Sequence, residues 1–319
     1  MVRLARTARQ MHGPARTATI LVNPTARRLR HGFDAPGAKR YLERHGTATR
    51  IAVPESAVAF EREARRAAER GDDLLFAVGG DGTLRLAAGA IAGSETALAV
   101  IPAGTADVWA KETGIPRRFR AAFEAHVSGQ RLRADLGRAG GEPFLLLASL
   151  GWDAEIAAHV GGRLKRALGP GAYMLQGVLR APWMHPRPLR WSDDHGNHEA
   201  NVALMVLGNS RLYGGMVSFT PRAYVDDGLL DSCVLGPARR GDGVRLAAKL
   251  GLGRLEGDSC ALCSRSARYV IETAGVPLEV DGDVVGASPV EIRVEPRALL
   301  VSVPAGAPPA IFTPARETA

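Results

Sequence analysis

A chain of 319 residues exceeds what one compact core usually holds, so two domains are expected. Its 46% apolar and 5% aromatic content is that of a soluble globular protein, and no apolar run approaches the ~20 residues that span a bilayer, which leaves a soluble or peripheral protein. The formal charge of +8 favours anionic partners, whether nucleotides, acidic lipid surfaces or nucleic acid.

Residues 1–17 are rich in arginine and hold no acid. They are expected as a flexible basic arm, with a membrane-surface contact as the alternative, and they lack the apolar stretch of a signal peptide. Beyond them, apolar runs alternate with helical patterns. Strands are expected over 17–24, 49–54, 73–79 and 96–102, and helices over 35–46, 55–71, 83–93 and 105–114, with Gly46 and Gly71 as C-terminal stops. That alternation predicts a parallel sheet with covering helices.

From residue 131 the pattern changes to short, turn-punctuated strands. A hairpin is expected over 131–151 with its turn at 139–141, then strands within 187–209, 228–236, 266–273, 276–283, 290–296 and 298–304. Two helical stretches, 153–181 and 241–253, interrupt them. A β-rich, sandwich-like second domain follows, and the Pro/Ala-rich tail 305–319 is expected to be loose.

Cys233, Cys260 and Cys263 make no disulfide framework. Cys260 and Cys263 have C-x-x-C spacing without a second pair, and all three are read as structural thiols. His195 and His198 share an H-x-x-H spacing but sit among turn formers, so a solvated hairpin tip is expected. Arg27, Arg28 and Arg30 suit either a phosphate or membrane contact or a plain surface cluster. The stretch 173–186 reads as a buried helix, with a lipid-facing helix as the alternative.

The stretch "FAVGGDGT" (76–83) carries more chemistry. Ligands of α/β sheets bind where strands end and the chain leaves for a helix. Gly79, Gly80 and Gly82 occupy such a break and let backbone N–H groups approach an anion, while the helix start adds positive charge. Asp81 there suits Mg²⁺ or a ribose hydroxyl. Taken alone, the four residues fit a phosphate loop and a capped turn equally well. The second break, "IPAGTADVW" (101–109), tips the balance, since Gly104 and Thr105 would stand beside the first if the two strands are neighbours. Neither break is a Walker A loop.

Asn23-Pro24, "GGDGT" (79–83), "PAGTAD" (102–107), Gly151-Trp152-Asp153, "GN" (208–209), "YGG" (213–215), "DDGLLD" (226–231) and "DGD" (281–283) occur in the order seen in bacterial diacylglycerol kinases and sphingosine kinases, and the chain resembles that family from about residue 18 to 304. The resemblance implies an NAD kinase-like α/β nucleotide domain, 18–130 with 298–304 returning to it, and a β-rich lipid-substrate domain, 131–297. It implies ATP as phosphoryl donor, held by Asn23, Gly79, Gly80, Asp81, Gly82, Thr83, Gly104 and Thr105. Catalytic roles fall on Asp283 as general base, with Asp81 and Asp135, and a structural Mg²⁺ falls on Asp227. The implied partners are a lipid alcohol (diacylglycerol or a sphingoid or ceramide-like lipid) and a transient anionic membrane surface. Nucleic acid is not implied, a homodimer is compatible, and the expected location is cytoplasmic or peripheral at the inner membrane face.

Three departures stand out. Arg85 and Leu86 replace the family's Asn-Glu, Asp283 replaces a usual Glu, and Asp107 stands where Asn is usual. They keep open a nucleotide-binding regulatory protein with weak or no turnover, while "GGDGT", which NAD kinases share, keeps open an NAD kinase-type enzyme.

Overall fold

A computed structural model describes residues 17–151, 186–236 and 239–314. The expected helix 153–181 and the stretch 173–186 lie essentially outside these residues, as do the basic arm and Trp152-Asp153. Strands β1 (Thr17–Val22), β2 (Ala48–Ala52), β3 (Leu74–Gly79) and β4 (Ala97–Pro102) form a parallel sheet in the order β2-β1-β3-β4. Every residue of β3 and β4 is buried, as uninterrupted apolar runs require when helices cover both faces. Helices α1 (Ala35–Arg44), α2 (Ala57–Glu69), α3 (Asp81–Ile91), α4 (Val108–Glu112) and α5 (Phe119–Val127) follow the strands. The first two start at side-chain caps, Asp34 accepting from the Gly37 amide and Ser56 from that of Ala59. Helix α3 begins inside the glycine loop, two residues before its expected start, and α4 is shorter than expected.

The second half supplies β5 (Gln130–Ala139), β6 (Glu142–Phe144), β7 (Leu147–Gly151), β8 (Arg187–Asp193), β9 (Gly196–Val202), β10 (Leu204–Gly208), β11 (Leu230–Leu235), helix α6 (Arg240–Gly251), β12 (Ala261–Ser266), β13 (Arg268–Ile271), β14 (Pro277–Val280), β15 (Asp283–Ala287) and β16 (Val290–Val303). The two strands expected over 290–304 are the single β16, bent by a register shift between Glu295 and Leu299. Its end runs parallel to β4, so the first sheet continues through β16, β13, β8 and β9. A second, antiparallel sheet runs β12-β11-β10-β7-β14-β15. Between the sheets lies an apolar core that includes Leu150, Trp191, Met205, Leu230, Tyr269 and Ile292, which makes the second half a β-sandwich.

His126 of α5 fastens the returning strand. Its ring nitrogens meet the Ser302 hydroxyl and the Val100 carbonyl, each at 2.9 Å, and burial pushes its pKa down to about 4, so it stays neutral. His126→Ala leaves both partners unpaired and a void behind, and is expected to cost about 2–4 kcal/mol of stability, read by urea unfolding. Among the described residues no helix is long and apolar enough to cross a membrane.

Candidate active site

The β3–β4 ladder ends at Gly79 opposite Pro102, so both chains leave the sheet together and their loops touch. A Cβ on Gly104 would stand 2.5 Å from the Gly80 Cα and 2.7 Å from Asp107 Oδ1; only glycine allows this approach. A Cβ on Gly79 would overlap the Thr83 side chain. Thr83 Oγ1 accepts from Asn23 Nδ2 at 2.8 Å, which ties the end of β1 to the first turn of α3. The structure thus brings together Asn23, Gly79, Gly80, Gly82, Thr83 and Gly104, with Thr105 exposed beside them.

Two carboxylates fasten the loops. Asp81 accepts from the amides of Val108 at 3.1 Å and Trp109 at 3.3 Å, so it caps α4 from across the gap. Burial of its carboxylate raises its pKa to about 6 against those two hydrogen bonds. Asp107, with a left-handed φ of 47°, accepts from the Gly104 amide at 2.8 Å and lies 3.5 Å from Arg117 and 4.0 Å from Arg28. Burial raises its pKa too. Arg28 also donates to the carbonyls of Pro102 and Arg117 at 2.8 and 2.9 Å, so it holds the second loop from outside.

The turn between β14 and β15 faces this edge. Val280 pairs with Asp283, leaving Asp281 and Gly282 as a two-residue loop with φ of 46° and 90°, the geometry of a type I′ hairpin. Asp281 accepts from the amides of Leu145, Leu146 and Leu147 at 2.7, 2.9 and 3.0 Å, which bolts the turn to the start of β7. Asp283 follows with its side chain 59% exposed, and its Oδ2 lies 3.4 Å from where a Gly82 Cβ would stand. Arg85 bridges the gap: its guanidinium is 3.6 Å from Asp283 Oδ2 and donates to Glu142 Oε2 at 2.9 Å. The arginine that departs from the family pattern is a buried link between the two halves. Leu86 packs against the core. The sequence carries no sign of Glu142, and it marks Asp281 only as part of the "DGD" motif.

Burial raises the Asp281 pKa from 3.8 to about 6, opposed by the three amides and assisted by the charge of Asp81. A raised acid contributes stability that is full below the unfolded value and is lost as pH rises through about 6. At ~1.4 kcal/mol per unit, the wild-type chain should lose about 3 kcal/mol relative to Asp281→Asn between pH 4 and pH 7. Paired urea titrations across that range check this; a pH-independent difference would contradict it.

Asp135 lies elsewhere. It is fully buried and accepts from the amides of Gly228 at 2.7 Å and Arg297 at 2.6 Å, which fixes the bend of β16, where Arg297 has φ 55°. Its pKa is raised to about 6, chiefly by burial and further by the charges of Asp227 and Asp226, against those two hydrogen bonds. Asp227 accepts from the Leu229 amide at 3.0 Å and pairs with Arg265, which also donates to Asp231. The positive charge at this turn is therefore an arginine. Among the described residues no three His, Cys, Asp or Glu side chains group to hold a metal ion, and Asp227 is engaged by Arg265. His195 and His198 do not form a metal pair either: His195 Nε2 meets the Arg265 carbonyl and His198 Nε2 meets Asp193. Asn209, of the "GN" pair, donates to the carbonyls of Leu145 and Asp135, and Glu112 of α4 accepts from the amides of Arg211 and Leu212. Asn209 braces the second half internally, and Glu112 braces the joint between the halves.

Glycine loops at the edge of the parallel sheet are thus met by an acidic turn of the sandwich. Residues 17–139 match the diacylglycerol kinase catalytic domain, and residues 147–303 match the YegS C-terminal NAD kinase beta sandwich-like domain. A probable lipid kinase YegS-like of Pseudomonas aeruginosa is 35% identical over 77% of this chain and 83% of its own. A diacylglycerol kinase of Staphylococcus aureus is 30% identical over 66% of this chain and 68% of its own. The crystal structure of a putative diacylglycerol kinase from Bacillus anthracis superposes with a TM-score of 0.76 at 20% identity, covering 96% of this chain and 98% of that one, a likeness of fold. The chain belongs to the diacylglycerol kinase and YegS-like lipid kinase family.

Proposed function

We propose that this protein transfers the γ-phosphoryl group of ATP to the hydroxyl of a lipid alcohol, either diacylglycerol or a sphingoid or ceramide-like lipid. The observation that carries the reading is the placement of exposed Asp283 beside Gly82, opposite the paired glycine loops. The amides of the two loops and the start of α3 take the phosphates, and Gly80 and Gly104 leave them room. Asp283 accepts the proton of the lipid hydroxyl as its oxygen bonds to the γ-phosphorus and ADP departs. Arg85 and the Asp281 bolt hold Asp283 in place, while Asp81 and Asp107 keep the loops joined. Mg²⁺ bound together with the nucleotide would offset the charge of its phosphates. The basic balance of the chain suits collection of the lipid from an anionic membrane surface.

A second reading, nucleotide binding without turnover, is favoured by one contact: Arg85 faces the oxygen that would take the proton. Incubation of the full chain with γ-labelled ATP and a panel of lipid alcohols, with NAD as a rival acceptor, separates the readings. The proposed function predicts lipid-dependent label transfer; label on NAD alone, or ATP binding with no transfer, would overturn it.

A further inference from the structure

Strands β11 and β12 run antiparallel in the register Asp231–Arg265, Cys233–Cys263, Leu235–Ala261. Directly opposed residues share a face and hold their Cα atoms about 4.5–5.5 Å apart, inside the ~4.4–6.8 Å that a disulfide spans. The two thiols stand close enough to shift each other's ionisation in opposite directions. The C-x-x-C spacing is therefore misleading. Cys260 precedes β12 and its sulfur meets Arg245 at 3.2 Å, and three extended residues separate Cα atoms by roughly 10 Å, too far to bridge.

The pair is asymmetric. Cys233 is buried in the core, whereas Cys263 is exposed on the wall of a cleft of about 220 Å³ that it shares with Phe219, Arg222, Glu256 and Arg265. Contact with Cys263, then burial, pushes the Cys233 thiol up, and the same contact pulls Cys263 down. An exposed sulfur whose pKa is drawn down thus has a buried thiol directly opposite it on the neighbouring strand.

We propose that Cys233 and Cys263 are a thiol–disulfide modification site whose co-reactant is a small disulfide such as oxidised glutathione. The Cys263 thiolate attacks one sulfur of glutathione disulfide, forming a mixed disulfide and releasing one glutathione thiolate, which takes up a proton. Cys233 gives its proton to water and attacks the Cys263 sulfur, releasing the second glutathione. Two protein thiols are oxidised to one disulfide and glutathione disulfide is reduced to two thiols. The bridge fastens β12 to β11 beside the Asp231–Arg265 pair.

The full-length chain is incubated with excess oxidised glutathione, quenched in acid, denatured and alkylated without reductant, then mapped by mass spectrometry. The expected result is alkylation of Cys260 alone, a linked peptide pair containing Cys233 and Cys263, and reversal by dithiothreitol. Cys260→Ser should give the same linked pair, and Cys233→Ser should retain glutathione on Cys263. Alkylation at all three cysteines, a Cys260–Cys263 link, or glutathione persisting on Cys263 of the wild-type chain would overturn the proposal.

Discussion

Asp283→Asn is expected to lower lipid-dependent phosphoryl transfer by ~10²–10⁴-fold, the range for a lost general base. Asp283 is exposed and follows a turn that Asp281 anchors independently, so the substitution leaves the fold intact. With the nucleotide on backbone groups of the other half, as proposed, ATP affinity should stay within about twofold of wild type. Initial rates at saturating ATP and lipid, set against equilibrium ATP binding, read the two effects separately. Transfer surviving within about threefold would remove Asp283 from the reaction. Arg85 gives the companion test: Arg85→Gln keeps a polar side chain but frees Asp283 and Glu142 from their common cation. A smaller loss, about 10-fold and confined to turnover, is expected if Arg85 positions the base. A gain instead would show that the arginine restrains it.

Gly104→Ala is expected to weaken ATP binding by ~10–100-fold, because the new methyl group must push apart the two loops proposed to take the phosphates. Its carbon would stand 2.5 Å from the Gly80 Cα and 2.7 Å from Asp107 Oδ1, and neither neighbour is the free end of a flexible side chain. Displacing Asp107 also breaks its bond to the Gly104 amide. Gly93→Ala is the matched control: its φ of 79° is strained for alanine, but no atom lies within 4 Å of the added carbon. The control should lose about 1 kcal/mol of stability with ATP binding unchanged. Equal loss of binding in both variants would mean that general destabilisation, rather than loop contact, is being read.

The parts of this architecture that sequence exposes are those with local causes. β3 and β4 are uninterrupted apolar runs because both faces are covered, and the glycine breaks after them are needed where two backbones touch. The "DGD" turn reads as a hairpin because two successive positive φ angles call for such residues. Features with distant causes do not show. Helix α5 begins at Arg118 without a side-chain cap and is held largely from outside, by His126 against β4 and β16. Pro296 and Arg297 look like a break between two strands, but Asp135, distant in sequence, captures the Arg297 amide and carries β16 through the bend. Asp81 has the local appearance of a ligand, whereas its partners are the amides of another helix. Likewise, the Cys263 partner follows from the β11–β12 register and not from the nearby Cys260.

A single reaction joining ATP to a lipid hydroxyl must release its two products in a fixed ratio. The full chain is supplied with ATP, Mg²⁺ and diacylglycerol in mixed micelles, with a sphingoid base and a ceramide in parallel, and ADP and phosphorylated lipid are measured in the same samples. The account predicts equal amounts of the two with at least one lipid, rising together with that lipid and both absent without it. ADP released with free phosphate regardless of lipid, or no ADP with any of the three, would contradict it.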